Sequence, residues 1–249
     1  MPSRALRQVT PTAGVVLAPN PGPMTLEGTN TWILRAPGES TCIVVDPGPL
    51  DEQHLRRVGS CGPVAVILLT HGHADHSAGA GRLAELTGAP VRAMDPAHRR
   101  GAGGLVDGDA VVAAGIELRV VATPGHTADS LSFLLADAVL TGDTILGRGT
   151  TVVAHPEGRL GDYLTSLERL RAMGELTVLP GHGPELASAG AAAEHYLAHR
   201  AQRLEQVRQA VAGGATTPEQ VVELVYAEVD RSLWPAATLS VLAQLDYLR

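Results

Sequence analysis

Nine consecutive residues constrain this chain more than any others: Leu68-Leu69-Thr70-His71-Gly72-His73-Ala74-Asp75-His76. They follow an apolar run that reads as a buried strand and precede a run that reads as a helix. Three imidazoles and a carboxylate within six positions are costly to fold together unless something binds them. Imidazole nitrogen and carboxylate oxygen are the donors that borderline divalent ions such as zinc prefer. His71 and His73 lie two apart in extended chain, so they point to the same side and can grip one ion. Asp75 and His76, at the turn into the helix, face a neighbouring position for a second ion. The alternative is a polar loop with chance histidines.

Three further stretches weigh against chance. Thr123-Pro124-Gly125-His126-Thr127, Leu140-Thr141-Gly142-Asp143-Thr144 and Val178-Leu179-Pro180-Gly181-His182-Gly183 each follow an apolar run. Each carries one ligand-type side chain beside glycine or proline, where the backbone can turn sharply. Strands are predicted at 31–34, 41–45, 64–69, 115–121, 131–135 and 138–141, and helices at 51–58, 77–87 and 162–173. Several of these strands are continuously apolar, as expected when both faces are covered. The mixture predicts a layered α/β architecture.

After Pro184 the pattern becomes helical. One helix is predicted over 187–212, ending at Gly213-Gly214. Thr217-Pro218-Glu219-Gln220 has the form of a capping box opening a second, and a third follows Trp234-Pro235. The expected division is a catalytic domain over 1–186 and a helical subdomain over 187–249.

Composition narrows the functional classes. With 45% hydrophobic and 18% charged residues in 249, the chain has the make-up of an ordinary globular protein. A net charge of -7 and 3% aromatic residues argue against a dedicated nucleic-acid binder, which needs a basic face and stacking rings. The sequence contains no lysine, which excludes Schiff-base chemistry through a side-chain amine. Two cysteines make no disulfide framework, and Cys42 reads as a small buried hydrophobe. The first residues lack signal-peptide order and no apolar run is long enough for a membrane span, so a cytoplasmic location is expected.

The four motifs together resemble the metallo-β-lactamase superfamily, whose His-x-His-x-Asp-His signature is filled residue for residue. The resemblance implies a four-layer αβ/βα sandwich. It implies that His71, His73 and His126 hold one metal, that Asp75, His76 and His182 hold a second, and that Asp143 bridges both. Asp46, in Val45-Asp46-Pro47-Gly48, matches the family's early aspartate and would orient a ligand histidine. Two divalent cations, zinc first and iron or manganese as substitutes, would generate a bridging hydroxide and polarise the attacked oxygen. Asp75 would orient that hydroxide and accept its proton. True lactamases usually lack the bridging aspartate or use a cysteine on the second metal; here Asp143 is present and no cysteine follows Cys61.

The loop from Asn20 to Thr31, Pro180-Gly181-His182-Gly183-Pro184, and Tyr196-Leu197-Ala198-His199-Arg200 with its helical tail resemble the β-lactamase-like protein 2 group. That group carries a C-terminal winged-helix-like domain. The sequence stops at Arg249 inside the third helical segment, so wing strands are expected to be absent or to lie beyond it. Members of the group cut single-stranded RNA, and related enzymes hydrolyse thioesters. The expectation is a binuclear metal-dependent hydrolase of a small ester or thioester, with single-strand endoribonuclease and a non-enzymatic scaffold as alternatives. Asn30 and His155 are candidate substrate contacts. His54, His98, His195 and His199 are expected on helix surfaces or in ordinary hydrogen bonds. Arg99, Arg100, Arg148 and Arg200 are the arginines whose convergence on one face would favour RNA.

Overall fold

The computed structural model describes residues 5–249. Eleven strands form two mixed sheets. The first holds β1 (Arg7–Gln8), β2 (Ala13–Leu17), β3 (Asn30–Leu34), β4 (Cys42–Val45), β5 (Val64–Leu68) and β6 (Val91–Arg92), side by side in chain order. Pairing is antiparallel from β1 to β4 and parallel from β4 to β6. The second sheet holds β7 (Ala110–Ala113), β8 (Ile116–Ala122), β9 (Leu131–Leu134), β10 (Ala138–Gly142) and β11 (Thr177–Pro180). It is antiparallel as far as β10, against which β11 lies parallel.

Period-two alternation decides what each strand buries. Trp32 and Leu34 point between the sheets, where they meet Leu118, Leu131 and Phe133. Ile33 points the other way, into a layer with Leu55, Val58 and Leu83. Those last residues belong to α1 (Glu52–Gly59) and α3 (Ala80–Thr87), which cover the outer face of the first sheet; the single turn α2 (Ala74–Ser77) precedes α3. On the second sheet, Val139 and Val178 pack outward against Tyr163, Leu167, Ala193 and Tyr196. These lie on α4 (Leu160–Arg171) and α5 (Ala189–Ala212). The layers therefore run α, β, β, α. The low aromatic content is met by aliphatic interdigitation, with Phe133, the chain's one phenylalanine, fully buried between the sheets.

Two local departures from the expected elements have clear causes. The helix expected over 77–87 is split at Ala78 and Gly79. Gly79 donates its N–H to the Gly48 carbonyl at 2.9 Å, and a Cβ there would stand 2.7 Å from Leu55 and 3.0 Å from two backbone oxygens. The first turn is thus pinned against the Asp46 loop before α3 starts. The strand β7 was not expected. It turns into β8 through Ala114 (φ 51°) and Gly115 (φ 69°), a two-residue hairpin in the left-handed region that lacks the usual Asn-Gly signal.

The tail adds α6 (Pro218–Val225) and α7 (Trp234–Tyr247). The Thr217–Gln220 capping box is present as expected. Val207, Val221, Val222, Ala237 and Val241 make a small core of its own. Among the described residues no strand follows β11. No helix there is long and apolar enough to cross a membrane.

Candidate metal centre

The chemistry-bearing residues gather where the strands end. Asp46 follows β4, His71 to His76 follow β5, His126 follows β8, Asp143 follows β10 and His182 follows β11. Three overlapping groups, His71/His73/His126, His71/His76/Asp143 and Asp75/His76/His182, each bring their donor atoms within 4.8 Å of one another. His73 Nδ1 lies 3.1 Å from His71 Nε2 and 3.0 Å from His126 Nε2. His76 Nε2 lies 3.2 Å from His182 Nε2, which is 3.1 Å from Asp75 Oδ2 and 3.4 Å from Asp143 Oδ2.

The outward nitrogens explain why the inward ones are free. Asp46 sits in the left-handed region (φ 51°) and is buried. It accepts from Thr70 N at 2.8 Å, Thr70 Oγ1 at 2.7 Å and His76 Nδ1 at 2.8 Å. Because the Thr70 hydroxyl proton goes to Asp46, its oxygen is left to accept from His71 Nδ1 at 3.0 Å. His126 Nδ1 donates to the Val152 carbonyl at 2.8 Å, and His182 Nδ1 to the Gly28 carbonyl at 3.2 Å. Four imidazoles thus commit Nδ1 to an outer acceptor and turn Nε2 inward, the arrangement that outer hydrogen bonds impose on metal-ligating histidines.

The electrostatics match. Burial, with the charge of His76, lowers the pKa of His71 well below the usual value, and burial likewise lowers that of His126. Burial opposes charge on Asp143, but His76 and His182 override it and hold the carboxyl well below its usual range. For His76 burial favours the neutral ring, yet Asp143 and Asp46 push its pKa well above the usual value. His182 is raised to about 9, because hydrogen bonds to Asp143 and Asp75 outweigh burial. Asp143 Oδ1 is buried and makes no hydrogen bond, with His76 Nε2 3.4 Å away. An orphaned carboxylate oxygen among inward lone pairs fits a divalent cation.

A cavity of about 330 Å³ opens on His126 and Asp143. Met24, Leu26 and Leu146 supply an apolar side, and Val229, Leu233 and Ala237 of the tail close it opposite. His199, Arg200 and Arg203 of α5 also face it. The expectation for His199 as a surface histidine is therefore corrected: it lines this cavity, since α5 docks its 199–203 stretch over the strand ends. Three basic side chains within five positions were the only signal for it. His54 makes the ordinary hydrogen bond expected, to Thr31 at 2.9 Å.

Asn30 and His155 are not among the residues facing the cavity. Asn30 Nδ2 donates to the Pro180 and Gly183 carbonyls at 3.0 and 2.8 Å, while its N–H donates to Gly181 at 2.8 Å. It stitches the His182 loop to the first sheet. His155 is half-buried, and its N–H reaches the Leu239 carbonyl at 3.4 Å. Arg148 and Arg200 face the cavity, but Arg99 bonds Ala93 and Met94 carbonyls and Arg100 lies 3.7 Å from Glu85, so the four arginines do not converge.

An α/β/β/α sandwich that collects five imidazoles and two carboxylates at its strand ends has the donor groups that could hold divalent metal. The chain is a member of the metallo-beta-lactamase superfamily, whose family model matches residues 24–182. A beta-lactamase-associated winged helix domain model matches residues 217–249. The chain is 32% identical to the beta-lactamase-like protein 2 homolog of Drosophila melanogaster, over 98% of this chain and 90% of that one. It is also 32% identical to an atrochrysone carboxyl ACP thioesterase of Aspergillus fumigatus, over 85% of this chain and 72% of that one. A beta-lactamase domain protein from Burkholderia ambifaria superposes with a TM-score of 0.83 at 25% identity, covering 98% and 87% of the two chains.

Proposed function

We propose that the protein is a binuclear metal-dependent hydrolase of a small ester or thioester. The observation that carries this reading is the set of inward-facing imidazole nitrogens and carboxylates beside a cavity whose wall surface is mainly apolar. His71, His73 and His126 would hold one ion, Asp75, His76 and His182 the other, and Asp143 both. Nitrogen and oxygen donors without sulfur suit zinc, with iron or manganese as substitutes. Two ions held there would supply a water of depressed pKa and an electrophile for the attacked oxygen. Asp75, whose side chain is 30% exposed at the cluster's edge, orients the attacking water and takes its proton. The apolar walls seat the acyl group and keep bulk water from it. The thioesterase name of the Aspergillus relative supports the substrate class. A cavity of about 330 Å³ is at the small end for ligand sites and suits an acyl group better than a polymer. Its one phenol ring, Tyr226, is already covered on one face by Arg203 at 4.7 Å, which makes it a poor stacking platform for a base.

The test is a substrate panel on metal-loaded protein: thioesters of coenzyme A and glutathione, single-stranded RNA, a chromogenic phosphodiester and a lactam. Thioester turnover should exceed the others in kcat/KM. RNA cleavage that depends on the metal cluster, with no ester turnover, would overturn the reading.

Two further outcomes follow from the hydrogen bonds. In the metal-free protein His76 and His182 have raised pKa values, so their protonated form adds stability that is full below about 6.5 and lost as pH rises through about 9 for His182. Zinc must displace those protons. Calorimetric titration of metal-free protein should therefore give close to two ions bound, proton release, and affinity that climbs with pH towards about 9. A pH-independent affinity, or no binding, would contradict this. Asp46→Asn, with its oxygen kept on Thr70 N, would set an amide N–H₂ against the two donors Thr70 Oγ1 and His76 Nδ1 and release the His76 tautomer. Metal affinity should fall by about 10- to 100-fold, read as zinc retained against a chelator; unchanged retention would mean that Asp46 does not orient His76.

A further inference from the structure

Two guanidiniums face the cavity without a counter-ion. Arg200 is 5% exposed. It donates to the Thr151 carbonyl and lies over the Tyr163 ring at 5.0 Å, yet its Nε is buried with no hydrogen-bond partner. Arg203, one helical turn on, is clamped by the Val225 carbonyl at 2.6 Å, by Gln206 at 3.1 Å and by the Tyr226 ring. All three contacts leave its charge uncompensated. Neither arginine has a carboxylate partner among the described residues, whereas Arg148 at the same cavity is paired with Glu27. A buried, unpaired cation is expensive, and a protein of net charge -7 has carboxylates enough to neutralise it. His199 beside them does not share the load. Burial and the two arginines lower its pKa to about 4, so it is neutral at neutral pH, and its Nδ1 is buried without a partner.

We propose that Arg200 and Arg203 form an anion subsite on the tail side of the cavity, so that the preferred substrate carries a carboxylate or phosphate oxyanion away from the bond that is cut. The proposal rests on the hydrolase reading for the role of the cavity, but the subsite itself is a binding property and is tested as one. A guanidinium already fixed by stacking and by one carbonyl loses little freedom on meeting a planar or tetrahedral oxyanion. Two sources of that anion have the same chemistry: an acyl chain ending in carboxylate, or the phosphates of a thiol carrier.

The experiment measures binding of inert probes to the metal-loaded full chain. The probes are the S-hexyl and S-(ω-carboxypentyl) thioethers of N-acetylcysteamine, coenzyme A, and a short single-stranded RNA. The carboxylated thioether or coenzyme A should bind at least about tenfold more tightly than the hexyl thioether, as expected for a charge-assisted pair. Whichever probe gains identifies the source. Arg203→Met should reduce that advantage to about twofold or less, and Arg203→Lys should keep part of it by restoring charge without the fork. Arg203 is partly exposed, so both variants are expected to fold, and circular dichroism checks this. Equal binding of charged and neutral probes overturns the proposal. So does an advantage that survives Arg203→Met, because Arg203 then does not hold the anion. RNA binding tighter than either small probe and dependent on Arg203 also overturns it, in favour of a nucleic-acid site. Because the thioethers are not cleaved, these outcomes stand apart from thioester turnover: a bound anion with no turnover would retire the hydrolase reading alone.

Discussion

Replacing Asp143 with alanine is expected to lower kcat/KM by about three orders of magnitude, or about 4 kcal/mol of transition-state stabilisation. Asp143 is the carboxylate within reach of both halves of the cluster. Its Oδ1 lies 3.4 Å from His76 Nε2, and its Oδ2 lies 3.4 Å from His182 Nε2 and 3.8 Å from His126 Nε2. Removing it leaves two cations facing each other with less neutralising charge, so retained metal should fall below two per chain. The side chain packs against no apolar core, and the far-ultraviolet spectrum should be unchanged. A variant that keeps full turnover and both ions would show that Asp143 does not bridge.

Gly181→Ala should be almost as damaging, with at least about a hundredfold loss in kcat/KM from displacement of catalytic groups. A Cβ at Gly181 would stand 2.5 Å from Asp143 Oδ1 and 2.7 Å from His76 Cε1. The backbone cannot retreat, since Gly181 N–H donates to Gly142 and its carbonyl accepts from Asn30, both at 2.8 Å. Something in the cluster must therefore move. Gly103→Ala, where a Cβ meets nothing within 4 Å, is the control. Wild-type kinetics in Gly181→Ala would mean that the arrangement of Asp143 and His76 is not what supports turnover.

The ligand-type residues were legible because each is local: a donor beside glycine or proline at the end of an apolar run. Asp46 was legible through the family resemblance, although its hold on Thr70 and His76 spans 24 and 30 residues. The hairpin at Ala114 and Gly115 was hidden because alanine gives no sign of positive φ. The stitching role of Asn30 was hidden because its partners lie 150 and 153 residues away, and no pattern near it announces them. The cavity wall was hidden for a related reason. His199, Arg200 and Arg203 come together at the cavity only once α5 is packed across the second sheet.

The Nε2 atoms of His76 and His182 meet across 106 residues, one on the first sheet's loop and the other on the second's. Contacts of such sequence separation form late, after the loop-closure entropy of both halves has been overcome. The two halves of the ion-binding array then come together late, and an unfolded chain offers ions only the local His71–His76 cluster. Occupancy stabilises a state beyond the barrier, so metal should leave the folding rate nearly unchanged and slow unfolding instead. For this protein the ions would act as a lock on a finished sandwich, setting how long it stays folded.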